Sequence, residues 1–126
     1  MAAEMPARVE AVAGATVVDF PWAAAAAAVT ALNAAASTLG AQLDARSTML
    51  PTIVDWHGAY RDEFDRAYGR ITGTASGLKE TLTTLASSIV SGAENANHAQ
   101  RRYNQAALEP DPPASTTRRS GRNIPV

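Results

Sequence analysis

The two histidines, His57 and His98, have the most versatile chemistry in this chain, because an imidazole can bind a metal or move a proton near neutral pH. Neither has a companion for that work. The 126 residues include no cysteine, so no thiol nucleophile or disulfide framework exists. A continuous helix between the histidines would hold them about 60 Å apart, so a single chain cannot join them at one metal. His57 then reads as an exposed loop residue and His98 as a solvated one. Gly69, Gly73 and Gly77 do not form a phosphate-binding loop, since such loops follow a strand and these glycines recur every four residues within a helical pattern. Each costs about 1 kcal/mol relative to alanine in a helix. A functional reason for them would be close backbone approach by a partner. Asp62, Glu63 and Asp65 lie beside Arg61, Arg66 and Arg70 at spacings of three and four, which reads as surface ion pairing. No catalytic constellation, cofactor site or metal site emerges, and the chain reads as a non-enzyme.

Stepping from these side chains to the elements that carry them, composition points to helix. Alanine dominates, aromatic residues make up 6%, and length allows one domain. The net charge of −1 gives no pull toward nucleic acid or anionic membranes. Trp22 to Ala36 carries no charge, but the run is short of the ~20 residues a membrane span needs and alanine is weakly apolar, so neither a transmembrane segment nor membrane binding is expected. Glu4, Arg8 and Glu10 spoil any secretory signal at the start, so export would need a route that ignores such signals.

Three regions follow. Residues 1–18 form an N-terminal extension: Met5, Val9 and Val12 have helical spacing, while Pro6 and Gly14 oppose a stable helix, leaving a frayed helix or an extended arm. Residues 19–108 form the helical domain. Residues 109–126 form a tail whose Pro110, Pro112 and Pro113, polar composition and Arg118, Arg119 and Arg122 predict disorder.

Within the helical domain, Asp19 suits an N-cap and Pro21 a first turn. An apolar seam then runs through Trp22, Ala25, Val29, Leu32, Ala36, Leu39, Leu43, Leu50 and Ile53, broken only by Arg46. Pro51 ends this helix near Leu50, with an irregular last turn over 52–55. A second helix runs from about Ala59 to about Ala107. Its seam is Phe64, Tyr68, Ile71, Ala75, Leu78, Leu82, Leu85, Ile89, Gly92, Ala96, Ala99 and Tyr103, with steps of four and three that predict helix-on-helix packing. Small residues in its later half predict the closest helix approach there.

Between the helices stands Trp56-His57-Gly58. Gly58 can take positive φ at a turn, and Asp55 suits an N-cap for the second helix. Trp56 falls at the tip, where its indole caps the seam, forms part of a recognition surface, or does both. Trp-X-Gly between two heptad-patterned helices resembles the Trp-X-Gly family, the early-secreted-antigen-like proteins exported by type VII secretion systems of actinobacteria and Gram-positive bacteria. The resemblance covers about Val17 to Ala107. It implies an all-α fold, an antiparallel two-helix hairpin that pairs into a four-helix bundle. It also implies a homodimer or a heterodimer with another Trp-X-Gly protein, and contact with the secretion ATPase and apparatus.

The residues independently argue for a partner. Helices of about 30 and 49 residues span roughly 45 and 73 Å, so about 28 Å of the longer one lacks cover. Leu85, Ile89 and Val90 lie near or within that stretch. Another molecule, or in part residues 1–18, must supply the missing surface. The expected dimer seam is Phe64, Ile71, Leu78, Leu82, Leu85 and Ile89 with Val29, Leu32, Leu39 and Leu43.

Family members that carry an export signal show Tyr-X-X-X-Asp/Glu after the second helix. Tyr103 stands in a suitable position, but its fourth neighbour is Ala107 and Glu109 comes two residues late. The resemblance therefore implies a secreted substrate or partner subunit with Trp56, Gly58 and Tyr103 as hinge and signal candidates, borrowing the acidic half of the signal from its partner. The competing reading is a cytoplasmic helical adaptor or chaperone that is never exported. A membrane-active helical protein ranks third.

Overall fold

The structure, a computed structural model, describes residues 2–109, and the tail expected at 109–126 lies outside them except for Glu109. All regular secondary structure among the described residues is helical: α1 spans Trp22–Met49, a 3-10 turn covers Leu50–Ile53, and α2 spans Ala59–Leu108. Pro51 stands at the start of the 3-10 turn, where an N–H would have no partner within the turn and its absence costs little.

Two compact units divide the described residues. The first contains residues 2–8 and 20–95. In it α1 packs against α2: the Lys79 ammonium lies 3.0 Å from where a Cβ on Gly40 would stand, and Ala36 shares a surface depression with Thr83, as Leu43 does with Ser76. Phe20 reaches Gly92, its ring 3.5 Å from the position of an added Cβ. The buried residues of the two helices in this unit are Ala25, Val29 and Ala36 with Ala86 and Ala93. All are small or β-branched, and those on α2 fall in its later half. Each methyl-sized group so removed from water contributes about 0.8 kcal/mol.

The second unit contains residues 9–19 and 96–109. Residues 9–19 form no helix; they run out, turn at Gly14, and return. Gly14 has φ +84°, and the Ala15 N–H donates to the Val12 carbonyl at 3.0 Å. Packing therefore groups residues 9–19 with the last turns of α2.

Two expectations require correction. Asp19 does not cap α1. The helix begins at Trp22 with Pro21 before it and no side-chain cap, so Asp19 lies too far back to meet the first free N–H groups. An edge-to-face pair of Phe20 and Trp22 at 5.0 Å, with the Arg8 guanidinium 5.9 Å from the Trp22 ring centre, marks this start instead. Second, Trp22–Ile53 forms one 32-residue helical stretch, long and apolar enough to cross a membrane by length and composition. The charge-free run judged too short continues as helix through Leu43, and Asp44 and Arg46 do not interrupt it. Little of this stretch is buried, and its exposed side carries Ala23, Ala24, Ala27, Ala31, Ala34 and Ala35.

On α2 the expected seam divides into two columns. The column Tyr68, Ala75, Leu82, Ile89, Ala96 is half-buried or buried, but Ile71, Leu78 and Leu85 are 47%, 49% and 49% exposed. Ala86, Ala93 and Gln100, absent from the expected seam, are buried instead. Within the single chain the column from Tyr68 to Ala96 therefore turns inward together with Ala86 and Ala93, and Ile71, Leu78 and Leu85 stay on the surface. Small side chains permit the tightest helix approach, yet they carry little hydropathy to announce it.

Candidate interaction surface at the hinge

The hinge is assembled from local backbone constraints. After the 3-10 turn, the Trp56 N–H donates to the Ile53 carbonyl at 3.0 Å. Gly58 then takes φ +83°, a conformation that a β-carbon disfavours, and its carbonyl accepts from the Asp62 N–H at 3.1 Å to begin α2. Asp62 supplies the acid in the first turn, where it suits the helix dipole. Asp55 is exposed and makes no side-chain capping bond among the described residues.

Arg61 ties the turn to the helix. Its Nη1 donates to the Ile53 carbonyl at 2.8 Å, and its Nε to Asp65 Oδ1 at 3.0 Å. The sequence showed only the i,i+4 pair with Asp65, which at this exposure contributes under about 1 kcal/mol. The bond to Ile53, one of the buried residues, reaches across the hinge and had no marker in spacing.

On this frame Trp56 packs edge-to-face on Phe64, ring centres 5.8 Å apart, and Phe64 stacks on Tyr68 at 5.8 Å. The indole is nonetheless 49% exposed. Trp56, His57 and Tyr60 line an open depression, Tyr60 projects almost wholly into solvent, and Val54 stands exposed nearby. Trp56 therefore caps the aromatic run with one side and offers the other to solvent. Such a half-wet aromatic patch can accept an apolar or planar group from a partner.

Along α2 from this patch, Phe64 is followed at seven-residue steps by the exposed Ile71, Leu78 and Leu85. Of the other seam candidates, Leu82, Ile89, Leu32, Leu39 and Leu43 are half-buried and Val29 is buried. A Cβ on Gly69, Gly73 or Gly77 would meet nothing within 4 Å, so no close approach within the described residues uses them. Tyr103 is exposed near the end of α2 and belongs to the second compact unit, whereas Trp56 and Gly58 belong to the first. His57 and His98 are both exposed, and no group of potential metal ligands occurs among the described residues. Comparisons with family models, curated proteins and solved structures found no significant match.

Proposed function

We propose that this chain acts by protein–protein association, as a secreted substrate or partner subunit of a type VII secretion system. Its two helices would form a hairpin that pairs with a second hairpin, of its own kind or of another Trp-X-Gly protein, into a four-helix bundle. The observation that carries the reading is the exposed heptad column Ile71, Leu78, Leu85 leading from a half-exposed Trp-X-Gly hinge. An apolar column at this spacing is what a second helix packs against. In this reading the chain has no enzymatic role and needs no cofactor. Trp56 would face the secretion apparatus, and the partner would supply the acid that Ala107 does not.

A second reading draws on that same Ala107. A chain lacking the acidic half of the signal suits a cytoplasmic adaptor or chaperone equally, with the same pairing and no export.

Secretion from a host with an active type VII system, with the partner co-expressed and intracellular amounts measured, separates the two. The export reading expects Trp56→Ala to fold and pair yet remain inside the cell. Normal export of a folded Trp56→Ala chain removes the signal role and favours the adaptor.

A further inference from the structure

We propose that the last turns of α2 form a peptide-binding clasp that reads backbone, and that residues 9–18 are its ligand, carried on the same chain. Asn97, Gln100 and Asn104 grip this loop. Asn97 Oδ1 accepts from the Val9 N–H at 2.8 Å. Asn104 Oδ1 accepts from the Val12 N–H at 3.0 Å, while its Nδ2 donates to the Glu10 carbonyl at 2.8 Å. Gln100 Oε1 accepts from the Val18 N–H at 2.9 Å, and its Nε2 donates to the Thr16 carbonyl at 2.8 Å. A further bond from Gln100 Nε2 to Asn104 Oδ1 at 3.1 Å holds the two amides to each other.

Two features mark this as recognition rather than filler. First, Asn97 and Gln100 are 3% and 4% exposed, a burial that amide side chains tolerate only when their hydrogen-bonding groups are used. Second, all five contacts from the amides to the loop reach main-chain atoms. The loop makes little use of its own backbone groups, apart from the Ala15 to Val12 bond across its Gly14 turn. The side chains of α2 therefore do for this segment what a neighbouring strand does in peptide recognition by sheets. The ligand class follows: an out-and-back peptide with glycine at the turn, tolerant of side-chain identity. The gripping groups are neutral amides, so the grip is insensitive to salt.

The test begins with hydrogen exchange on the intact chain by NMR. The Val9, Val12 and Val18 amides are expected to exchange at least tenfold more slowly than those of Ala11 and Ala13, equally in low salt and in 1 M NaCl. Uniformly fast exchange through the loop overturns the clasp, and loss of protection in high salt overturns its neutral character. Loss of protection on dilution would show that a second copy's loop fills the site, and overturns the same-chain assignment. In the full-length Val12→Pro, Val18→Pro chain, two gripped N–H donors are gone and the loop is released. A synthetic peptide of residues 8–19 is then expected to bind and restore the Gln100 and Asn104 side-chain amide shifts. The unaltered chain is expected to bind it at least tenfold more weakly, because its tethered loop competes. A folded released chain that ignores the peptide overturns the proposal. If the double variant does not fold, the exchange experiment decides alone.

Discussion

At the hinge, Trp56, Tyr60 and Val54 are apolar and face solvent, whereas in the last turns of α2 the polar Asn97 and Gln100 are buried. Hydropathy alone would assign these regions the opposite way. The difference follows from what each backbone needs. The hinge satisfies itself through the 3-10 turn, Gly58 and Arg61, so its large side chains are free to turn outward. The loop over 9–18 has no helix or sheet to satisfy its N–H and carbonyl groups, so amide side chains are drawn inward to meet them. In a chain whose core is largely alanine, backbone demand competes effectively with side-chain hydropathy for the interior.

The contrast breaks most directly at Gln100. Gln100→Ala strands the Val18 N–H and the Thr16 carbonyl, with an expected loss of about 3 kcal/mol from the broken bonds and unpaired groups. Urea unfolding followed by circular dichroism checks it. A loss too small to measure would mean that the clasp is incidental, and the two regions would no longer differ in kind.

Trp56→Ala is expected to cost less, about 2 kcal/mol, because half the indole is already wet and the edge-to-face contact with Phe64 is its main packing. A loss as large as that of a fully buried tryptophan in the same urea assay would make the hinge an ordinary core. Gly58→Ala is expected to cost about 1 kcal/mol, since open space surrounds the site and only the positive φ opposes a methyl group. The shift in thermal midpoint measures it.

The smallest effect on folding sharpens the comparison along α2. Leu85→Asp is expected to change the stability of the single chain by under about 0.5 kcal/mol, as for other exposed positions. The same substitution should weaken association at least tenfold by light scattering or sedimentation. Leu82→Asp, at a half-buried position, should unfold the chain more readily. Equal destabilisation by the two would mean that Leu85, like Leu82, packs within the single chain.

Much was legible in the residues themselves. Pro51 and Trp56-His57-Gly58 mark the break between helices, and Gly58 takes the positive φ that a turn there requires. The unbroken alternation of three and four in the second half of the chain indicated one long helix, and α2 ends at Leu108, one residue from the expected Ala107. These features depend on local backbone preference and periodicity, which a sequence carries openly. Tertiary structure decided which face of α2 turns inward, because the contact surface is made by Ala86 and Ala93, whose side chains are too small to stand out. It decided that Asp19 leaves α1 without a side-chain cap and that Arg61 reaches Ile53, because each depends on where a chain direction takes a side chain in space. It alone joined residues 9–19 to the end of α2, because Asn97, Gln100 and Asn104 recognise main-chain groups, and every residue but proline presents the same ones.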